Sequence, residues 1–153
     1  MTINLRRLIK CLVIPLAVGG LASLLARNNF VIENQPPLSP PAWVFAVVWT
    51  ILYILMGIAS YVILESDAKP QDKTNALTLY ALQLIFNFFW TIIFFNLRQY
   101  IFAFVWILAL WALIIATILK FRAISKTAAY LLLPYIIWVT FAAYLNLGVA
   151  ILN

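Results

Sequence analysis

The sequence has 153 residues, of which 67% are hydrophobic and only 9% are charged. Soluble domains carry about 25% charged residues and about 45–50% apolar residues, so a water-soluble globular fold is excluded. One cysteine and no histidine leave no internal disulfide and remove most ligands of zinc, copper and haem iron. No metal site is therefore expected.

Charged residues divide the chain into five long apolar stretches. Each stretch is close to or above the length of about 20 residues that a helix needs to cross the hydrocarbon core. The stretches are continuously apolar rather than alternating, which disfavours transmembrane strands. We therefore predict an all-α integral membrane protein, with a single five-helix domain over residues 1–153 and helices at about 8–26, 42–64, 76–97, 101–119 and 127–152.

The first apolar stretch allows two interpretations. Arg6, Arg7 and Lys10 followed by an apolar run are typical of the start of a signal peptide. The run reaches Arg27 without a convincing small-residue cleavage site, so we favour an uncleaved helix.

The distribution of basic residues predicts the orientation. With five spans, the N-terminus and segments 65–75 and 120–126 share one side, which holds eight of the ten Lys and Arg residues. This bias predicts a cytoplasmic N-terminus and an outside C-terminus, which we expect in a bacterial plasma membrane. The net charge of +6 then reflects topology and contact with lipid headgroups, and it gives no support for a nucleic-acid partner.

Tryptophan is the most informative residue type. Trp43 fits the usual aromatic belt at a membrane interface, but Trp49 and Trp90 lie about 10 Å below the outer boundary. Trp138 lies deeper, in the middle of the fifth stretch. Three indoles on three helices are thus expected in the outer half of the membrane.

Polar and aromatic neighbours follow these indoles at helical spacing. Tyr53 shares a face with Trp49, and Gln83 and Asn87 share a face with Trp90. Because amides are costly to expose to lipid, these faces should point into the bundle. One interpretation is an aromatic packing core with interhelical hydrogen bonds. The other is an aromatic pocket for a flat apolar ligand, in which indole N–H groups make the directional contacts.

A proline-rich segment precedes the second stretch. Residues 35–41 read Gln-Pro-Pro-Leu-Ser-Pro-Pro, which predicts a stiff, extended chain. It serves either as a lid across the outer mouth of the pocket or as a rigid connector.

Three sequence blocks resemble one known family. Residues 40–59 contain PPAWVF followed by VWTILYILMG, residues 83–90 read QLIFNFFW, and residues 134–146 read PYIIWVTFAAYLN. In this order they closely resemble the translocator protein family, which includes the tryptophan-rich sensory proteins and the peripheral-type benzodiazepine receptors.

The resemblance implies a five-helix bundle, usually a homodimer, that binds porphyrins, sterol-like molecules and certain drugs. It places five residues on the positions that line the family's ligand pocket: Trp49, Asn87, Trp90, Trp138 and Ala142. It also implies light-dependent degradation of protoporphyrin in some bacterial relatives, with Trp49 and Trp138 at the implicated, catalytic positions.

The sequence departs from the family in its first loop. Many relatives have a Trp-Tyr pair there, whereas this chain offers only Phe30 as an aromatic ligand contact. Arg27 is a candidate partner for a ligand propionate, although an anchor at the interface is its commoner role. A family pattern for sterol recognition needs a basic residue after a tyrosine in the fifth helix, and none follows Lys126.

The leading hypothesis is a membrane receptor or sensor that binds protoporphyrin IX without any required cofactor. The absence of histidine favours the metal-free porphyrin over haem. The alternative is a transporter of porphyrins or other amphiphiles, against which the lack of charged residues in spans two to five argues. A structural protein that binds only other membrane proteins is a third possibility.

Overall fold

The computed structural model describes residues 2–153 and is helical, with five segments long and apolar enough to cross a membrane. The all-α membrane fold expected from the sequence is confirmed. The helices are α1 (Leu5–Ala26), α2 (Ala42–Glu65), α3 (Pro70–Thr91), α4 (Tyr100–Ile124), α5 (Lys126–Leu131) and α6 (Leu133–Leu152). A π-helical turn, Ile92–Asn96, extends α3, and α5 with α6 forms the fifth span.

Two helices extend at least five residues beyond the predicted apolar stretches. Helix α3 begins at Pro70 rather than near residue 76, and α4 ends at Ile124 rather than near residue 119. The predicted ends were wrong because charge marks the edge of the hydrocarbon, whereas a helix continues into water. Proline is favoured in the first turn of a helix, where its missing N–H has no partner to lose.

The fifth span is interrupted at Leu132, which separates α5 from α6. Pro134 follows in the first turn of α6, where it lacks the N–H needed to continue the hydrogen-bond ladder of α5. At the other end of α3, the amide of Leu97 donates to the Ile92 carbonyl at 3.0 Å, one residue further back than in an α-helix.

The five spans form a closed ring in which α1 contacts α2 and α3, α3 contacts α4, α4 contacts α6, and α2 contacts α5. Helices α1 and α2 approach each other closely at Gly57, where a Cβ would lie 2.7 Å from the Cys11 carbonyl oxygen. Cys11 is a free, buried thiol.

The two ends of the bundle differ. One end, here called the basic end, carries the N-terminus of α1 and the connections α2–α3 and α4–α5, and at this end Arg7 pairs with Glu65 at 2.6 Å. The opposite end carries the first loop, residues 27–41. The candidate functional site lies at the first-loop end.

Candidate functional site

A cavity of about 540 Å³ lies between α1, α2, α3 and α6 beneath the first loop. Pockets of 300–1,000 Å³ hold drug-sized ligands and cofactors. Its principal wall residues are Gly19 and Gly20 of α1; Phe45, Trp49 and Tyr53 of α2; Trp90 of α3 with Phe94 and Phe95 of the π-helical turn; and Ala142 and Asn146 of α6.

Small residues create the space and aromatic residues bound it. Gly19 faces the ring of Tyr53 so closely that any side chain there would collide with it. Trp49 stacks on Tyr53 with ring centroids 5.6 Å apart, and Trp90 stacks on Phe94 at 5.1 Å. The cavity therefore has two flat aromatic walls.

The first loop covers the end of the cavity and is fastened to α6. Gln35 and Ser39 line the cavity. The ring of Pro36 packs against Gly148, and the hydroxyl of Tyr144 donates to the Pro37 carbonyl at 2.8 Å. The proline-rich segment thus lies across the mouth as a lid, one of the two roles left open by the sequence.

A buried chain of hydrogen bonds closes the cavity floor. The Tyr53 hydroxyl donates to Oδ1 of Asn87 at 2.9 Å, and Nδ2 of Asn87 donates to the Tyr135 hydroxyl at 2.8 Å. Tyr135 in turn donates to Oε1 of Gln83 at 2.6 Å. Because the proton of Tyr53 is engaged in this network, its oxygen can only accept further hydrogen bonds.

The indole N–H groups are not all available to a ligand. The N–H of Trp90 donates to Oδ1 of Asn146 at 2.9 Å. That of Trp138 is buried and finds no hydrogen-bond partner among residues 2–153. Because Trp138 does not line the cavity and the Trp90 N–H is engaged, the expectation that the indoles supply the directional contacts rests on Trp49.

Five of the predicted ligand-binding residues line the cavity: Phe30, Trp49, Tyr53, Trp90 and Ala142. The structure brings these together.

The other three do not line the cavity. Asn87 lies in the floor network beneath Tyr53. Trp138 packs behind Phe45, with ring centroids 5.7 Å apart, and Arg27 caps α1 at the surface. Ligand contact by all eight predicted residues stays a prediction.

Sequence reasoning missed other wall residues. Phe45 lies one helical turn before Trp49, and Phe94 lies one turn after Trp90. Phe45 follows from extending the aromatic face of Trp49 by one turn, whereas Phe94 shares the face of Asn87 and Trp90 in the sequence but was not predicted as a ligand contact. Gly19 and Gly20 carry no local signal in the sequence that marks them as cavity walls.

The cavity is open sideways between α1 and α2. Gly20 on α1, and Ala46 and Thr50 on α2, line it and are also exposed on the outer surface. A ligand dissolved in the bilayer can reach the cavity through this opening.

The part of the chain that the structure describes, residues 2–153, contains no cluster of three or more side chains able to hold a metal ion. The chemistry of the cavity is that of apolar contact, aromatic stacking and a few polar groups at the rim.

Comparison with known proteins identifies the family. Residues 11–152 match the model of the TspO/MBR family. The chain is 37% identical over 147 residues to the tryptophan-rich protein TspO of Chlorobaculum tepidum, covering 94% of this chain and 93% of that protein.

Relatives from other organisms give the same result. The chain is 34% identical over 154 residues to the tryptophan-rich protein TspO of Archaeoglobus fulgidus, covering 98% of this chain and 99% of that protein. It is 42% identical over 114 residues to the translocator protein of Ovis aries, covering 74% of this chain and 68% of that protein. This integral, multi-pass membrane protein therefore belongs to the TspO/MBR family, and that membership supports a role as a membrane sensor, receptor or transporter.

Proposed function

We propose that the protein is a membrane receptor that binds a flat, apolar tetrapyrrole, metal-free protoporphyrin IX, in the cavity beneath the first loop. The observation that carries this proposal is the pair of stacked aromatic walls, Trp49–Tyr53 and Trp90–Phe94, around a cavity of about 540 Å³. Offset stacking on such walls stabilises a planar ring system.

The polar groups of the cavity suit a porphyrin that keeps its carboxylates at the rim. The interior walls carry no charged side chain, whereas Gln35 and Ser39 lie at the mouth. Arg27 lies one helical turn beyond Ser23, which lines the cavity, and this proximity supports an interaction of Arg27 with a propionate at the rim. Charge-assisted hydrogen bonds from Arg27 would fix the ligand's orientation.

Filling the cavity tests the proposal. Ala142 is 4% exposed and lines the cavity, so Ala142→Phe should block it, whereas Ala109→Phe adds the same bulk on the exposed face of α4. Protoporphyrin titrated into the purified protein should quench tryptophan fluorescence saturably in wild type and in Ala109→Phe, but not in Ala142→Phe. Equal quenching of all three would overturn the proposal.

Transport is the competing function. The network of Tyr53, Asn87 and Tyr135 closes the floor of the cavity and supports binding over passage through the bundle. In sealed liposomes, a binder takes up porphyrin only in proportion to the protein present. Porphyrin accumulation in the lumen beyond that amount would favour the transporter.

The proposal places the basic end in the cytoplasm of a bacterial cell and the first loop outside its plasma membrane. The excess of Lys and Arg at the basic end supports this orientation. It also includes a homodimer as the working assembly, in line with the family, which cross-linking in native membranes would test.

A further inference from the structure

One threonine of the cavity wall differs from most threonines of the membrane helices. A threonine inside a helix commonly donates its hydroxyl to the backbone carbonyl four residues earlier. Five threonines of this bundle do so at 2.7–2.9 Å: Thr50, Thr74, Thr78, Thr117 and Thr140. Thr91 lines the cavity, and its hydroxyl makes no hydrogen bond within residues 2–153.

The side chain of Thr91 faces the cavity and not the lipid. Thr91 follows Leu84 and Asn87 by seven and four residues, so the three side chains share one face of α3. Leu84 and Asn87 are buried, whereas Ile85 and Phe89 on the lipid side are exposed. Thr91 is half-buried because the cavity lies beside it.

The oxygen of Thr91 is accessible from this cavity. In the part of the chain that the structure describes, residues 2–153, the unbonded side-chain polar atoms enclosed by protein are the Tyr80 hydroxyl and the Trp138 N–H. The Thr91 oxygen is not one of them, so part of its surface stays open. Its hydroxyl can donate to a bound molecule without breaking an existing bond, and such a bond is stronger in apolar surroundings than in water.

The other hydroxyls of the cavity are bonded or lie at its rim. Three of them already donate to protein groups: those of Ser39, Thr50 and Tyr53. Ser23 makes no such bond, but it is exposed and lies one turn before Arg27, where the porphyrin proposal places the propionates. Thr91 therefore carries the free hydroxyl of the cavity interior.

The height of Thr91 in the cavity indicates which part of a porphyrin it meets. Thr91 follows Asn87 of the floor network by one helical turn, about 6 Å along the axis. Gln35 and Ser39 lie at the opposite end, at the mouth. A porphyrin with its propionates at the mouth directs its other edge toward Thr91. In protoporphyrin IX that edge carries two vinyl groups, which accept no conventional hydrogen bond.

We propose that the cavity prefers porphyrins with a hydrogen-bond acceptor on the edge opposite the propionates, and that the Thr91 hydroxyl donates to this acceptor. The inference rests on the porphyrin proposal and adds to it a residue that determines specificity. The acceptor is an uncharged oxygen, because no charged side chain lines the cavity to balance a buried charge. The preferred ligands are thus porphyrins with oxygenated substituents in place of the vinyl groups.

Two porphyrins that differ only at this edge test the proposal. Mesoporphyrin IX carries ethyl groups at the vinyl positions, and diacetyldeuteroporphyrin IX carries acetyl groups there. Each is titrated in the dark into the full chain in detergent, and quenching of tryptophan fluorescence gives its Kd. The measured quantity is the ratio of the mesoporphyrin Kd to the diacetyldeuteroporphyrin Kd. Partition of the two porphyrins into micelles affects this ratio equally in every variant.

Three variants separate the Thr91 hydroxyl from the shape of the cavity. Thr91→Val removes the hydroxyl at nearly constant volume, and the ratio should fall about 3- to 10-fold, as expected for one lost hydrogen bond. Thr91→Ser keeps the hydroxyl and should keep the wild-type ratio. Thr117→Val is the matched control, because Thr117 is buried in α4 outside the cavity and donates to the Leu113 carbonyl. It should also keep the wild-type ratio.

A spectroscopic measurement reports the hydrogen bond directly. A bond to an acetyl oxygen lowers the stretching frequency of its C=O group. The resonance Raman band of this group in bound diacetyldeuteroporphyrin should therefore lie at a higher frequency in Thr91→Val than in wild type and Thr91→Ser.

Several outcomes would overturn the proposal. An unchanged ratio in Thr91→Val, or an equal fall in Thr117→Val, would show that the Thr91 hydroxyl does not select the ligand. Equal weakening of both porphyrins in Thr91→Val would place a propionate at Thr91 instead. If mesoporphyrin binds saturably and the ratio ignores Thr91, only this inference fails. If neither porphyrin quenches the wild type, the porphyrin proposal fails as well.

Discussion

The indole N–H of Trp90 donates to the side-chain oxygen of Asn146 at 2.9 Å, and this bond joins α3 to α6 beside the cavity. Through its other amide atom, Nδ2, Asn146 donates to the carbonyl of Tyr100 at the start of α4 at 2.8 Å. One buried amide thus connects three helices.

Replacing this amide should destabilise the bundle. Asn146→Ala leaves the Trp90 N–H and the Tyr100 carbonyl unpaired, and the free energy of unfolding should fall by about 1–3 kcal/mol. Asn75→Ala is the matched control, because Asn75 is exposed and contacts only Gln71 at the basic end of α3. Thermal unfolding in detergent, followed by near-ultraviolet circular dichroism, measures the difference. If Asn75→Ala were as unstable as Asn146→Ala, the inference that the hydrogen bonds of Asn146 stabilise the bundle would be contradicted.

The floor network should behave as one unit. Tyr53 and Tyr135 share Asn87 as a hydrogen-bond partner, so the double variant Tyr53→Phe/Tyr135→Phe should depart from additivity by about 0.5–3 kcal/mol. Trp111 bonds Thr140 and shares no partner with Tyr53, so Tyr53→Phe/Trp111→Phe should be additive within about 0.5 kcal/mol. Additivity in both pairs would mean that the network has no coupling.

Two glycines should respond in opposite directions to alanine. At Gly57 the new Cβ would lie 2.7 Å from the Cys11 carbonyl oxygen and 2.9 Å from the Leu12 Cα, so α1 and α2 must separate. Stability should fall by about 1–3 kcal/mol, as in other overpacked sites. At Gly20 nothing lies within 4 Å, and alanine's helix propensity should raise stability by up to about 1 kcal/mol. Comparing the free energy of unfolding of each variant with that of the wild type checks the direction of both changes.

Light-dependent degradation of bound protoporphyrin should depend more on Trp49 than on Trp138. In such a reaction the excited porphyrin and oxygen would supply the chemistry, and the protein would supply an electron-rich indole next to the ligand. Trp49 lines the cavity, whereas Trp138 lies behind Phe45. Under illumination in air, Trp49→Phe should bleach the pigment near the rate in empty micelles, and Trp138→Phe should stay near wild type. If the wild type, Trp49→Phe and Trp138→Phe all bleach the pigment at the rate seen in empty micelles, catalysis by the protein is rejected.

The orientation can be tested with single cysteines. In a Cys11→Ala background, Asn34→Cys in the first loop should react with a membrane-impermeant maleimide on intact cells, and Asp67→Cys at the basic end should react only after lysis. Both positions are exposed, so burial does not explain a difference. The reverse pattern would invert the proposed topology.

Much of this architecture could be predicted because lipid imposes simple rules. Twenty apolar residues between charges must be a helix, and the helical spacing of Trp49 with Tyr53 placed both on an inward face that the structure also has. Asn87 was placed correctly in the interior, where the sequence cannot distinguish a ligand contact from a bond to Tyr53. That distinction depends on which helices are neighbours.

Features that arise from contact between distant segments were not predictable. Gly148 gives no sign in the sequence that Pro36, more than a hundred residues away, packs against it. The break at Leu132 could have been predicted, because Pro134 disfavours a continuous helix. It was not predicted, because the apolar stretch continues through it without a charged residue. Hydropathy indicates whether a residue lies in lipid or in water, but it does not indicate which other residue it contacts.

The sideways opening at Gly20, Ala46 and Thr50 changes how affinity for this protein must be expressed. A ligand that enters between α1 and α2 never has to leave the bilayer, so it equilibrates with the protein from the lipid phase. Its effective concentration is moles of ligand per mole of lipid. Diluting the same protein and ligand into more lipid will weaken apparent binding even when the volume of buffer is constant. Dissociation constants measured in micelles, nanodiscs and cell membranes become comparable only as mole ratios to lipid or detergent.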